Sequence, residues 1–445
     1  MKIIIAGAGD VGTHLAKMLS NENHDIVVID PDESKLRGVD NLDLITINGS
    51  ATSFKTLKDA NVKKADLLIS VTQSEDTNLT ASMLAKKLGA ARTVARINNK
   101  EYLFAGNKDF FQSLGVDYLI YPQNIAVNEL VNLVSQTGTV DIFDFSGGML
   151  SLFVIKIEED SPLINQTLYE LTQNNDNLEY RAVAITRQTK TIIPRGIDKF
   201  EPNDLIYVIS SQDGLKQLNK ITGKETVTVK NVMILGGSRI GIGTASQLEN
   251  KYNVKLIEQD KDKCFKLASV LNNTLIINGD GRNMDLLSEE GLQNMDAFIS
   301  VTDNSETNIL SCLLAKRMGV KRTITEIENI DYINIAENMG IDTIINKKLI
   351  TAGRIFRFTR SAQVADIKCL TGSDAEIVEF IAQPGSKVTK SHIKDIGLPK
   401  DSIIGGVVRG KNSYIATGDL KVEPNDRVVV FVLPSSFYKL EKFFN

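Results

Sequence analysis

The chain begins with an unbroken apolar run, Ile3-Ile4-Ile5-Ala6, and similar short runs recur between stretches of helical spacing. Runs without polar alternation mark strands covered on both faces, as in a parallel sheet flanked by helices. The pattern predicts strands over Lys2 to Ala6, Asp25 to Ile29, Leu44 to Ile47, Leu67 to Val71, Thr93 to Ile97 and Tyr118 to Ile120. Helices are expected between them, over Val11 to Ser20, Asp32 to Asp40, Phe54 to Ala60, Thr77 to Leu88 and Tyr102 to Leu114. This βαβ succession is that of a doubly wound, Rossmann-type sheet. A further amphipathic helix, Pro122 to Ser135, ends at the breaker Thr137-Gly138 and is expected to bridge to the next segment.

The chain then repeats itself. Asn48-Gly49 returns as Asn278-Gly279, Ser70-Val71-Thr72 as Ser300-Val301-Thr302, and Leu84-Ala85-Lys86-Lys87-Leu88-Gly89 as Leu314-Ala315-Lys316-Arg317-Met318-Gly319, displaced by 230 (302 minus 72). Glu201-Pro202-Asn203-Asp204 returns as Glu423-Pro424-Asn425-Asp426, displaced by 222 (423 minus 201). Two homologous halves follow, each with a Rossmann segment and a smaller segment of short strands and turns. In the first small segment the strands are Leu152 to Ile157, Arg181 to Thr186 and Leu205 to Ile209, with a Pro194-Arg195-Gly196 turn and Pro202 at the second position of another. Residues 223–230 and 358–364 read as linkers, which gives domains at 1–137, 138–222, 230–360 and 361–445.

At 445 residues the length suits several cores rather than one. With 51 Lys+Arg against 55 Asp+Glu the net charge is -4, so there is no bulk attraction for nucleic acid, and none is expected as a partner. No apolar stretch approaches a membrane span, and the first residues run straight into a strand rather than a signal segment, so a cytosolic location is expected. Cys264, Cys312 and Cys369 lie far apart without CxxC, and His14, His24 and His392 are the only histidines, so no metal site is expected.

The chemistry concentrates in Gly7-Ala8-Gly9-Asp10-Val11-Gly12, which follows a strand and opens a helix, with Asp30 ending the next strand. The first glycine permits the turn, the second lets backbone approach a pyrophosphate, the third lets helix and strand pack, and the carboxylate receives ribose hydroxyls. Asp30 would repel a 2′-phosphate, so NAD(H) or an adenine nucleotide is expected over NADP(H). Asn48-Gly49, Val71-Thr72 and Arg96 should complete the crevice, although Thr72 also reads as a cap of the following helix and Arg96 as a surface ion pair. In the second half the loop is Gly236-Gly237-Ser238-Arg239-Ile240-Gly241, followed by Glu258, Gly279-Asp280 and Thr302. Ser238 hinders close phosphate approach and Glu326 stands where Arg96 did, so tighter binding is expected in the first half. Arg239 reads either as a phosphate contact or as a solvated side chain.

Turnover finds little support. A dehydrogenase needs a proton-moving group beside the hydride path. The histidines lie elsewhere, Tyr438 to Lys442 sits on the terminal helix, and no GxxxxGK[ST] supports hydrolysis. Binding without turnover leads; an NAD-dependent oxidoreductase or a solute-sensing adaptor are the alternatives.

The glycine loop, Ile29-Asp30, Asn48-Gly49-Ser50-Ala51, Ser70-Val71-Thr72 and Ala95-Arg96-Ile97 combine with a second-segment set. That set is Asp160-Ser161-Pro162-Leu163, Ala184-Ile185-Thr186-Arg187 and Pro194-Arg195-Gly196, matched later by Gly405-Gly406-Val407-Val408-Arg409. Together they resemble the RCK domain, a regulator of potassium conductance, and the doubled arrangement is similar to the TrkA family of regulatory subunits of bacterial Trk potassium uptake systems. The resemblance implies two Rossmann-like domains, each followed by a small α+β RCK C-terminal domain. It also implies no enzymatic activity, NAD(H), ATP or ADP as ligands, a homotetramer, and a TrkH-like potassium-translocating membrane subunit as partner. Association with the inner face of the membrane would then run through that subunit. Arg354-Ile355-Phe356-Arg357-Phe358-Thr359-Arg360 and the Pro122 to Ser135 helix are expected either at subunit interfaces or packed on their own domains.

Overall fold

The computed structural model describes the chain except residues 21–23, 136–140, 158, 160, 162, 169, 171–178, 188–189, 212–213, 215–228, 360–363 and 370–374. The Thr137-Gly138 breaker, residues 223–228 of the first linker, 360–363 of the second, and Asp160 and Pro162 lie outside the described residues. Residues Met1–Val131 with Lys230–Thr359 form one compact unit, and Asn132–Val229 with Arg360–Asn445 a second.

The first unit holds both Rossmann segments. The first runs β1 (Lys2–Ala6), α1 (Asp10–Ser20), β2 (Asp25–Asp30), α2 (Glu33–Leu36), β3 (Ile45–Asn48), α3 (Phe54–Asp59) and β4 (Leu67–Ser70). It continues through α4 (Glu75–Leu88), β5 (Arg92–Arg96), α5 (Ala105–Ser113), β6 (Tyr118–Ile120) and α6 (Pro122–Ser135). Its sheet has the order β3-β2-β1-β4-β5-β6, all parallel, with β1 and β4 buried on both faces as the apolar runs require. The expected helix over Tyr102 to Leu114 divides into a 3₁₀ turn, Lys100–Leu103, and α5.

Residues 141–210 supply β7 (Asp141–Phe145), β8 (Leu150–Lys156), β9 (Tyr180–Arg187), β10 (Lys190–Ile192) and β11 (Leu205–Ser210) to the other unit. The second Rossmann segment has β12 (Asn231–Leu235), α7 (Arg239–Leu248), β13 (Asn253–Glu258), α8 (Lys261–Val270), β14 (Thr274–Asn278) and α9 (Met284–Glu289). After these come β15 (Ala297–Ser300), α10 (Ser305–Arg317), β16 (Arg322–Glu326), α11 (Asp331–Asn338), β17 (Thr343–Ile345) and α12 (Lys347–Phe356). Its order, β14-β13-β12-β15-β16-β17, repeats the first sheet strand for strand.

The two Rossmann segments exchange their last helices. Ala352, Ile355 and Phe356 of α12 are buried in one cluster with Val11, Leu15 and Leu19 of α1. Reciprocally, Val127 of α6 lies so close to Gly243 of α7 that a Cβ there would meet it at 2.7 Å, and Gln247 donates to Asn128 at 3.2 Å. Packing on its own domain holds only in part for each helix: Ile125 of α6 and Leu349 of α12 touch the cores of their own segments, whereas Phe356 packs on the other Rossmann segment of the same chain. Periodicity defines an apolar face but does not name its seat.

The second unit contains two antiparallel sheets. The first has the order β10-β9-β11-β8-β7; the other, β18-β19-β22-β20-β21, uses β18 (Val364–Cys369), β19 (Glu376–Ile381), β20 (Ser402–Arg409), β21 (Asn412–Ile415) and β22 (Arg427–Val432), before α13 (Pro434–Glu441). The sheets share one core, in which Leu152, Tyr207 and Ile209 meet Ile377, Val429 and Phe431 and the Tyr207 and Phe431 rings stand 5.6 Å apart.

The repeated Glu-Pro-Asn-Asp sequence acquires a structural cause here. Asn203 and Asn425 adopt φ of 66° and 68°, the left-handed conformation that a type II turn requires after proline. Buried Asp204 accepts from Arg187 at 2.9 Å and from Glu201 N–H at 2.8 Å, and Asp426 accepts from Arg409 and Glu423 N–H at 2.9 and 2.7 Å. Arg187 and Arg409, which carry the family resemblance, therefore clamp turns.

Candidate nucleotide-binding crevice

The first glycine loop crosses from β1 to α1 with Gly7 at φ +111°, where a Cβ would stand 2.9 Å from Thr72 N. A Cβ on Gly12 would come within 1.8 Å of Gly7 O, so both glycines are needed for the loop to close. Gly9 differs: its Cβ would meet nothing within 4 Å. The space above Gly9, at the N-terminus of α1 with its unpaired N–H groups, is therefore open.

Asp30, 5% exposed, fixes the neighbouring backbone, accepting from Ala8 N–H at 2.7 Å and from Asp32 N–H at 2.9 Å. Gly49 N–H donates to Asp30 O at 3.1 Å and the Asn48 amide to Pro31 O at 3.2 Å, which draws the end of β3 toward β2. Thr72 does not cap α4; Ser74 does, accepting from Thr77 N–H at 3.2 Å. Instead Thr72 gives its N–H and hydroxyl to Asn78 Oδ1 at 2.8 and 2.7 Å. Asn78, 1% exposed, also donates to the Thr72 and Arg96 carbonyls at 3.1 and 2.9 Å, tying the ends of β4 and β5 together. Asn308 does the same for Thr302 and Glu326. The sequence reading missed Asn78, although its recurrence at the 230 displacement (308 minus 78) was visible.

These residues border a crevice of about 560 Å³, a volume typical of small-molecule sites. Gly7, Gly9, Asp10, Val11, Asp30, Val71, Thr72 and Arg96 line it directly. Ala8, Gly12, Asn48 and Gly49 support it from behind rather than facing it. Arg96 is no surface ion pair: its Nε is buried without a hydrogen-bond partner, and burial lowers its pKa against the pull of the Glu328 carboxylate. The Arg96 side chain lines the crevice with a charge that complements an anion.

The crevice is closed by residues the sequence reading did not assign to it, Glu328, Lys347, Lys348 and Thr351 of the second Rossmann segment. They arrive on the exchanged helix α12 and the turn after β16. Lys348 pairs with Asp10 at 2.7 Å, and Lys347 with Glu328 and Glu326 at 3.0 and 3.4 Å. Burial opposes the charge of Lys347, but these carboxylates outweigh it and raise its pKa. Glu326, 5% exposed, has its pKa raised chiefly by burial.

The second glycine loop keeps its glycine geometry, with Gly236 at φ +104° and a Cβ on Gly241 only 2.0 Å from Gly236 O. Ser238, in the place of Gly9, puts a side chain where the first loop has none and caps α7 by accepting from Gly241 N–H at 3.2 Å. Glu258 accepts from Gly237 N–H at 2.9 Å as Asp30 does from Ala8, and pairs with Lys263 at 2.8 Å. Burial pushes its pKa up, but the Asp260 and Gly237 N–H groups and Lys263 carry it below the usual value. Asp280 is engaged by Arg282 at 2.7 Å, and Arg239 reaches the Asn98 carbonyl at 3.2 Å. Ile240 is buried, and Gly279 N–H donates to Glu258 O at 3.0 Å.

His14, on α1, has its pKa lowered by burial and by Lys17, and it does not face the crevice. Among the described residues, no group of His, Cys, Asp and Glu is arranged to hold a metal, and no helix is long and apolar enough to cross a membrane.

Comparison with known proteins agrees with this architecture. The TrkA-N domain family matches residues 3–122 and 232–347, and the TrkA-C domain family residues 152–223 and 377–445. The chain is 33% identical to the Trk system potassium uptake protein TrkA of Halomonas elongata, over 97% of this chain and 96% of that one. Its identity to the TrkA of Vibrio alginolyticus is 34%, over 98% and 97% of the two chains. With a TrkA homolog of Archaeoglobus fulgidus it is 32%, over the full length of both. Among solved structures, the GsuK channel superposes with a TM-score of 0.60 at 15% identity, over 99% of this chain and 78% of that one. The GsuK channel bound to NAD gives 0.59 at 15% identity, over 100% and 78%. At that identity the likeness is one of fold. With TrkA-N and TrkA-C domains in tandem, twice over, the chain belongs to the TrkA family of Trk-system potassium uptake proteins.

Proposed function

We propose that the chain is the nucleotide-sensing regulatory subunit of a Trk-type potassium uptake system, acting by binding rather than by turnover. Adenine nucleotides, NAD(H), ATP or ADP, enter the first crevice: pyrophosphate over Gly9 at the start of α1, ribose on Asp30, outer phosphates toward Arg96. The observation that carries this reading is the Arg96 side chain lining a crevice whose loop leaves open space at Gly9. The corresponding residues of the second segment, from Gly236 to Ile240 with Glu258, Gly279, Asp280 and Thr302, form a weaker site.

Because α12 of the second Rossmann segment forms part of the first crevice, a bound ligand touches both segments. A ligand shifts a conformational equilibrium only through its different affinity for the two states, typically about 1–3 kcal/mol of coupling. A crevice built from two segments supplies that difference whenever their angle changes. The proposed assembly is a homotetrameric ring docked on a TrkH-like membrane subunit at the cytoplasmic face, with domains at 1–137, 138–222, 230–360 and 361–445. Support comes from the Trk-system names of relatives that match over nearly the whole chain. The test is potassium flux through vesicles reconstituted with the membrane subunit, with and without this chain, as ATP, ADP and NADH are varied. Flux indifferent to all three would overturn the proposal, as would steady NADH oxidation by the purified chain.

A further inference from the structure

The charge at the mouth of the first crevice comes from two segments. Lys35 and Arg96 belong to the first, and Lys347, Lys348 and Glu328 to the second. Lys348 is matched by Asp10, and Lys347 by Glu326 and Glu328. Arg96 has no hydrogen bond at Nε, and the carboxylate that acts on it is again Glu328. Glu328 thus pairs with Lys347 at 3.0 Å and lines the same crevice as Arg96, whose charge its carboxylate favours.

The fold does not require a carboxylate there. Displaced by 230 (328 minus 98), the first Rossmann segment carries neutral Asn98 at the matching place. Both positions are held through their backbones, Asn98 N–H by Glu75 at 2.7 Å and Glu328 N–H by Ser305 Oγ at 3.0 Å. The Glu328 side chain is 50% exposed, so it can leave for water at little cost.

We infer that Glu328 is a specificity-determining residue, an internal anion that the distal phosphates of a nucleotide must displace from Arg96 and Lys347. The inference rests on reading the first crevice as an adenine-nucleotide site. A ligand whose charge ends at the glycine loop leaves Glu328 in place and gains nothing from the two cations. A di- or triphosphate long enough to reach them exchanges one anion for another, and keeps only the surplus of its own charge over that of Glu328. The residue therefore acts as a threshold on phosphate number, supplied to one segment by the other.

The experiment is calorimetric titration of the full-length protein and its Glu328→Gln variant with adenosine, AMP, ADP and ATP in metal-free buffer, repeated with Glu328→Asn, which copies Asn98. ADP and ATP are expected to bind both variants about fivefold more tightly than the wild type, with adenosine and AMP unchanged. Equal changes across all four ligands, or no change in ADP and ATP, overturn the role of Glu328 while leaving the crevice a nucleotide site. A wild-type protein that takes up none of the four overturns the nucleotide reading itself, and this inference with it.

Discussion

The two Rossmann segments have the same strand order and loop turns, yet the first glycine loop has open space at Gly9 where the second carries the Ser238 side chain. The difference lies in a few side chains: Ser238 for Gly9, Glu326 for Arg96, and Lys263 drawn onto Glu258. None of these disturbs the fold, because Gly236 and Gly241, which the loop geometry needs, are retained. Duplication has separated scaffold from chemistry. In the second copy the end of β16 no longer offers a cation to a ligand of its own; it positions Lys347 for the first crevice.

The largest effect that would sharpen this comparison is on stability. Phe356, 1% exposed, lies in the core of the first Rossmann segment although it belongs to the second. Phe356→Asp is expected to cost about 3–5 kcal/mol, read as a loss of chemical-denaturation midpoint, because a large buried side chain is lost and a charge put in its place. If the helix were seated elsewhere, the loss would be small.

Next comes Gly9→Leu, whose Cβ would meet nothing within 4 Å and whose side chain would extend into the open space over the loop. Nucleotide binding should fall about a hundredfold, as two charge-assisted contacts are lost, while the melting temperature stays near that of the wild type. Restoring the missing feature by Ser238→Gly should raise binding at the second loop.

Asp30→Ala should weaken adenine-nucleotide binding about tenfold in calorimetry, and Glu258→Ala should change the tighter site little. The reverse ranking would break the comparison.

The smallest effect concerns Glu326. Its pKa is raised above 4.5 by burial, so it favours folding while protonated and loses that contribution as pH climbs from the ordinary carboxylate range through its folded value. Glu326→Gln removes this loss. Its melting temperature relative to wild type should therefore rise as pH increases through that window, which thermal scans across pH would show.

The local parts of this molecule were legible in its sequence. Apolar runs gave the parallel sheets, and the order Gly7, Gly9, Gly12 then Asp30 marked the crevice, because neighbours along the chain make these features. The 230 displacement gave the second copy. What was not legible depends on distant partners. The apolar face of α12 carries no mark that it belongs on α1, so Glu328, Lys347, Lys348 and Thr351 could not be assigned to the first crevice. Thr72 read equally well as a helix cap, and only the Asn78 hydrogen bonds decide between the roles.

The exchange of α6 and α12 sets a limit on how this protein can be divided. A fragment cut between the halves would carry a helix with an apolar stripe and, on its own first helix, an empty seat of matching shape. One such fragment cannot fold the helix back into that seat without abandoning the arrangement seen here, but a second identical fragment can supply it. Each half on its own is thus expected to be an obligate dimer, and the linker between the halves turns a concentration-dependent association into a permanent one.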